Sequence, residues 1–328
     1  MKNLIGHENA KKQLFKATLS ANRRNMAIPH LLFHGHPGCG KTSMARELAR
    51  ISQSPFLSVV PNDLKDYTSV LRVLSQLDHT NYDSLGNRTG TIKPTILFLD
   101  EVHNMPLKGQ ELIGLVMERF MIESNQPNIY SWTPFFTLIG ATTLAGKLSK
   151  PFRDRFKINI TFTPYNQAEM EKIVVLHASN FGVNLTPEAV QTIARRGRGV
   201  PRIAVGFLER IRDEIVSSDI ELGDINVVSR VFDELGIDEE GFNRSELKIL
   251  KILFDTGMPV GLDNLSIMID EDQKTIKDYS EPFLIRKGLI VVSGRGRVIT
   301  QKGIDYLENA GKTEKLIKKN IPFNYVRR

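Results

Sequence analysis

The stretch GHPGCGKT, Gly35–Thr42, limits what this chain can fold into more than any other eight residues. It fits the spacing G-x-x-x-x-G-K-[ST], follows an apolar strand-like segment HLLFH (His30–His34) and opens a helix-like run, SMARELARI. Strand, glycine-rich turn and helix in that order make a loop whose backbone N–H groups curl around phosphate. The helix N-terminus adds partial positive charge. Gly35, Pro37, Gly38, Cys39, Gly40 and Ser43 form or flank this cradle. Lys41 can bridge the terminal phosphates of a nucleotide, and the Thr42 hydroxyl can ligate Mg²⁺. Cys39 reads as a small filler, a redox role being the alternative, and His34 and His36 read as structure flanking the loop.

A phosphate loop requires a second element to hold the metal and activate water. Thr95–Glu101, TILFLDE, is an apolar run ending in two acids, the pattern of a fully buried parallel strand that delivers carboxylates at its carboxyl end. Asp100 is placed to hold Mg²⁺, mainly through water, and Glu101 to polarise the attacking water as general base. A third strand, FFTLIGATT (Phe135–Thr143), ends in Thr142 and Thr143. A hydroxyl there can orient the lytic water, although β-branched residues also end ordinary strands.

With 328 residues the chain has room for two or three domains. Hydrophobic content of 41% and charged content of 25% are those of a globular protein. One cysteine excludes an internal disulfide framework and suits a reducing cytoplasm. No apolar run approaches a membrane span, and MKNLIGHENAKKQL lacks the apolar core of a signal peptide. The net charge of +7 is concentrated: eleven Lys/Arg face four acids between Glu281 and Arg328, which accounts for all of it. Such a segment points to a polyanion, most simply nucleic acid.

The third strand runs into KLSKPFRDRFK (Lys147–Lys157), where Arg153 and Arg155 bracket Asp154 just past buried structure. Unpaired guanidinium groups at such a place are costly. They are either solvated or reserved for something outside the chain. After Thr163–Pro164 the periodicity is helical from Gln167 to Phe181 and from Pro187 to Arg195. Pro201 then sits at a first helical position with Arg202 in the first turn, where an arginine is slightly unfavourable by dipole.

GHPGCGKT, FLDEVH, FTLIGATTLAGKLSKPFRDRF and RGVPRIA, in that order, resemble the RuvB family of AAA+ ATPases. The similarity continues through ELGIDEEGF, PVGLDNL, EPFLIRKGLI and RGRV, nearly the whole chain. The resemblance implies an α/β P-loop AAA+ domain with a parallel sheet over 1–163 and a small helical lid over 164–236. A winged-helix domain over 237–312 and a basic tail over 313–328 follow. It implies ATP and Mg²⁺ as cofactors, a homo-oligomeric ring, expected to be a hexamer, and a cytoplasmic motor that migrates Holliday junctions. DNA, junction or duplex, would be bound largely without sequence preference, beside a RuvA-type partner. It makes Arg153 the finger that reaches the γ-phosphate of the neighbouring subunit, with Arg155 its neighbour or alternate. Arg202 becomes a second sensor, and Leu4, Ile5, Tyr165 and Pro201 match positions that wrap adenine.

In the last domain Asn243 and Glu246 read as a capping box before LKILKILF. Leu289–Val292, SGRG and Arg297–Thr300 read as a hairpin. Three helices and a hairpin describe a winged helix, with Arg295 and Arg297 at or beside the wing tip as expected phosphate contacts. The chain departs from the family in three places. It begins close to LIGHE, carries extra polar residues in DHTNYDSLGNRTGTIK, and is about six residues shorter between Met117 and Phe136, where family members dock RuvA. The last change, with Ile129, Tyr130 and Trp132 in that segment, leaves a loader or switch that places another protein on DNA as the alternative to a motor.

Overall fold

The computed structural model describes residues 4–77, 90, 93–123 and 130–309. They form two compact units, Met1–Ile225 and Asn226–Arg328 by chain position. The polar insertion, the tip of the shortened segment including Ile129, and the basic tail lie outside the described residues.

The first unit runs α1 (Glu8–Arg24), β1 (Leu31–Gly35), α2 (Lys41–Ser52), β2 (Phe56–Val59), α3 (Tyr67–Leu74), β3 (Thr95–Leu99) and α4 (Leu107–Arg119). A short antiparallel hairpin follows, β4 (Met121–Glu123) with β5 (Tyr130–Trp132), then β6 (Phe136–Thr142), α5 (Lys150–Asp154) and β7 (Ile158–Phe162). Strands β2-β3-β6-β1-β7 form one parallel sheet. β3 and β6 are buried at every residue, which is why they read as unbroken apolar runs. Their side chains still alternate between two cores. Ile96, Phe98 and Ile139 pack with residues of α1 and α2 on one face, while Leu97, Leu99 and Leu138 pack with α3 and α4 on the other. Trp132, opposite Met121 in the hairpin, is half-buried, so it is neither the exposed anchor nor the buried residue the sequence left open.

A helical lid completes this unit: α6 (Gln167–Asn180), α7 (Pro187–Arg196) and α8 (Pro201–Ser217). Each start has a local cause. Asn166 and Glu169 form a reciprocal capping box, Thr186 caps α7, and proline opens α7 and α8.

The second unit contains α9 (Ile225–Leu235), whose first residue falls at the division, α10 (Arg244–Thr256) and α11 (Leu262–Ile269). Next comes a bent helix made of α12 (Gln273–Thr275), a π turn over Ile276–Ser280 and α13 (Glu281–Arg286). The hairpin of β8 (Ile290–Ser293) and β9 (Gly296–Ile299) is the wing. Backbone bonds between Val260 and Arg297 in both directions add a third short edge to it. The capping box of Asn243 with Glu246 is present, and Phe242, Ile249, Leu253, Leu265 and Phe283 fill the core. A helix over 301–309, absent from the sequence reading, follows the wing.

Candidate nucleotide site

The carboxyl ends of β1, β3 and β6 bring the three sequence motifs together. Gly35 ends β1 at φ 131°, and a Cβ there would run into the carbonyl oxygen of Phe162 on β7, so only glycine lets the loop leave the sheet here. Gly40 at φ 89° then turns the chain into α2. The Cys39 carbonyl accepts from Tyr165 Oη at 3.3 Å and pairs with His7 Nε2 at 3.2 Å, while the Cys39 side chain is buried in the core. Burial removes the redox alternative for that thiol and pushes the Tyr165 phenol up. Gly38 packs beneath Val200 and Arg202, joining the loop to the lid.

Lys41 is 6% exposed and donates to the carbonyls of Gly35 (2.9 Å) and His36 (3.0 Å). Burial lowers its pKa, opposed by the charges of Glu101, Cys39 and Asp100 and assisted by Arg202. Thr42 Oγ1 donates to Asp100 Oδ2 at 3.3 Å. A hydroxyl and a carboxylate side by side are hard oxygen donors. The described residues hold no cluster of three or more His, Cys, Asp or Glu that would make an all-protein cage. That donor set fits a cation that keeps its waters and shares phosphate oxygens, as Mg²⁺ does.

Glu101 sits at φ 47°, an uncommon conformation for a non-glycine residue. The turn places its carboxylate against β6: Thr143 donates to Oε2 through its N–H (3.3 Å) and its hydroxyl (3.2 Å). His103 Nδ1 lies 3.1 Å from the same oxygen and 2.8 Å from Thr142 Oγ1. The sequence reading had Glu101 and Thr143 but missed His103. Nothing in FLDEVH announces that its ring folds back onto a strand 39 residues away.

Between loop and lid lies a cavity of about 560 Å³ whose wall includes Lys41, Thr42, Asp100, Glu101, Pro201 and Arg202. Pro37, Gly38, Gly40 and Ser43 also line it, as do His177, Val205, Gly206 and Glu209 of the lid, which the sequence reading did not single out. Leu4, Ile5 and Tyr165 do not line it. Leu4 and Ile5 line a separate hollow beside α1, and Ile5 another beside α6. Tyr165 acts on the loop from behind through Cys39.

The two arginines of KLSKPFRDRFK are resolved into different roles. Arg155 is fastened to its own chain: Nε and Nη2 lie 3.3 and 3.4 Å from Glu118, and Nη1 donates to the Pro151 carbonyl at 2.8 Å. Nη1 and Nη2 are thus engaged within the chain, which favours Arg153 over Arg155 as the finger. Arg153, half-buried on α5, makes no side-chain hydrogen bond or ion pair with any described residue. The buried Gln110 ties this segment to the turn that follows the acid strand, donating to the Met105 carbonyl (2.9 Å) and accepting from the Ser149 N–H (3.0 Å).

In the second unit the expected pair of DNA contacts also divides. Arg295 is exposed at the turn of the wing. Arg297 belongs to β9, and its side chain is 13% exposed, with Nε 2.6 Å and Nη2 3.2 Å from the two oxygens of Glu281 on α13. The pair to Glu281 leaves Arg295 as the exposed one of the two expected phosphate contacts. The fork of Arg297 is spent on a buried carboxylate inside the domain.

Among the described residues no helix is long and apolar enough to cross a membrane. Three family models match in series: the Holliday junction DNA helicase RuvB P-loop domain over 1–162, the RuvB AAA lid domain over 165–238 and the RuvB C-terminal winged helix domain over 239–308. The lid model includes α9, most of which falls within the second unit here. Among similar proteins, the Holliday junction branch migration complex subunit RuvB of Helicobacter pylori is 32% identical over 311 residues, 93% of this chain and 88% of that protein. The same subunit from Streptococcus equi subsp. equi is 33% identical over 319 residues, 94% and 90% of the two chains. The solved structure of the Thermotoga maritima RuvB Holliday junction branch migration motor superposes with a TM-score of 0.76 at 31% identity, covering 93% of this chain and 95% of that one. With its sheet, lid and wing matched end to end, this chain belongs to the RuvB family.

Proposed function

We propose that the chain is one subunit of an ATP-driven ring that migrates Holliday junctions in recombination and repair, working in the cytoplasm with a RuvA-type junction-binding partner. The observation that carries this reading is the division of labour between the two arginines. The phosphate loop, acids and Thr143 are assembled within one chain, whereas Arg153, on a helix tied down by Arg155 and Gln110, has no side-chain partner among the described residues. A cation so placed, unpaired among the described residues, suits a site completed by a second copy.

In the proposed reaction Lys41 leaves its two carbonyls to hold the β- and γ-phosphates. Thr42 and Asp100 would hold Mg²⁺, which neutralises charge on the phosphate oxygens. Glu101 accepts a proton from the attacking water. Arg153 of the adjacent subunit and Arg202 of the lid stabilise charge as the γ-phosphoryl group departs. Arg202 lies in the cavity wall on a different element from the loop, so nucleotide binding draws loop and lid together. Arg295 at the wing turn contacts DNA phosphate. Hexameric closure is the ring size we favour, from the resemblance to RuvB.

The test is dissociation of a synthetic four-way junction by the purified chain with a RuvA-type partner, ATP and Mg²⁺. Junction-dependent hydrolysis coupled to strand separation is expected. Hydrolysis that serves only to release a second protein onto DNA, without strand separation, would instead identify a loader.

A further inference from the structure

We infer that His103 is a positioning residue for the general base. Anchored on strand β6 by its bond to Thr142, it sets the Nδ1 proton beside the Glu101 oxygen that Thr143 holds and leaves the other oxygen for water.

The argument begins with backbone. Glu101 adopts the left-handed conformation, and a single 3₁₀ turn over Val102–Asn104 closes when Asn104 N–H donates to the Glu101 carbonyl at 2.9 Å. That turn folds residue 103 back over residue 101, with Val102 fully buried beneath it. The His103 side chain is 9% exposed, so its position is fixed by packing. Its Nδ1 stands between two oxygens, Glu101 Oε2 at 3.1 Å and Thr142 Oγ1 at 2.8 Å. Thr142 is wholly buried, and its oxygen also accepts from Leu144 N–H at 2.9 Å.

Proton accounting selects the tautomer. A base that is to accept a proton must be ionised, and an ionised carboxylate only accepts hydrogen bonds. A lone pair on Nδ1 at 3.1 Å from that oxygen would repel it, so Nδ1 carries the hydrogen. Oε2 then receives two hydrogen bonds, from the N–H and the hydroxyl of Thr143, and the Nδ1–H that bonds Thr142 Oγ1 stands 3.1 Å from the same oxygen. Oε1 receives none from the described residues. One oxygen is anchored and its partner, on a residue lining the cavity, is open. What the arrangement gains is a fixed rotamer, and misplacement of a reacting group by 1 Å can cost about 10²-fold in rate.

The inference rests on the ATPase reading of this site, and its test separates the two. An asparagine amide N–H occupies nearly the position of imidazole Nδ1–H, whereas that of glutamine lies nearer Nε2. His103→Asn should retain most of the turnover of the unaltered ring. His103→Gln and His103→Ala should lose kcat by roughly 10- to 100-fold, with KM for ATP and the affinity of a fluorescent ATP analogue unchanged. Equal loss in Asn and Gln variants, or nucleotide affinity falling in step with kcat, would overturn the inference while leaving the ATPase reading intact. An unaltered chain that fails to hydrolyse ATP would instead refute the ATPase reading. Independently of activity and of how the variants fold, ¹⁵N spectra of the unaltered protein should report a protonated Nδ1 for His103. A ring protonated only at Nε2 would also overturn the inference.

Discussion

Replacing Arg297 by alanine should unfold the wing domain more readily than it weakens any DNA contact. The ion pair is nearly dry: Glu281 is 4% exposed and the Arg297 side chain 13%, with two contacts of 2.6 and 3.2 Å. Removing the arginine leaves a carboxylate that cannot reach water, and breaking a buried pair in this way costs about 3–5 kcal/mol. In a unit of this size each kcal/mol lowers Tm by roughly 4–8 °C, so the loss is at least about 12 °C. The reverse change, Glu281→Ala, costs less, because a long arginine stem can bring its charge to the surface. Deleting both charges together, Glu281→Leu with Arg297→Met, should recover most of the stability, since an apolar pair of similar volume is often neutral. Calorimetry on the full-length chain reads these differences in the transition of the C-terminal unit, with Arg295→Ala as an exposed control expected within about 0.5 kcal/mol. An Arg297→Ala protein that melts normally yet binds DNA poorly would refute the reasoning and restore the arginine to the DNA interface.

Other expectations follow from the same geometry. Lys41→Ala should abolish tight ATP binding, whereas Glu101→Gln should bind ATP and not turn it over; normal hydrolysis by the second variant would displace Glu101 as the base. Arg295→Ala should weaken binding to all DNA sequences alike and reduce the slope of log affinity against log salt by about 0.9, with basal ATPase unchanged. His30 is buried with its pKa lowered to about 4, by burial first, opposed by the bond from Nε2 to the Met117 carbonyl, while Nδ1 accepts from Leu138 N–H. The unfolded chain therefore binds an extra proton between roughly pH 4 and 6.5, and stability falls as pH drops through that window. The loss from pH 7 to 5 is about 2 kcal/mol. Urea midpoints of the unaltered chain and His30→Gln should diverge over that range, and parallel slopes would contradict the assignment.

What could be read in the residues was whatever depends on near neighbours. The phosphate loop, the DE pair and the capping boxes each lie within eight residues, so local spacing carries their chemistry. β3 and β6 were legible because burial on both faces leaves no polar interruption. The roles that escaped depend on distant partners. Arg153 and Arg155 look equivalent in RDR, and only Glu118, on another helix, separates the bound arginine from the available one. Arg297 looked like a wing-tip cation until Glu281, 16 residues earlier, was found beside it. His103 lacked any local signal, because its second partner, Thr142, comes from a different strand. The helix over 301–309 was hidden because its polar face dominates so short a segment.

Mixing two inactive variants tests the account most directly. An Arg153→Ala chain keeps Lys41 and Glu101 but offers no finger, and a Glu101→Gln chain keeps its finger but lacks the base. Arginine fingers contribute roughly 10³–10⁵ in rate, so each variant alone should be nearly silent. In mixed rings, a boundary where the Glu101→Gln chain presents Arg153 to the site of an Arg153→Ala chain has every catalytic group. ATPase activity should therefore reappear on mixing and rise with the proportion of such boundaries. No recovery, in rings shown to contain both chains, would mean that Arg153 acts within its own subunit or not at all.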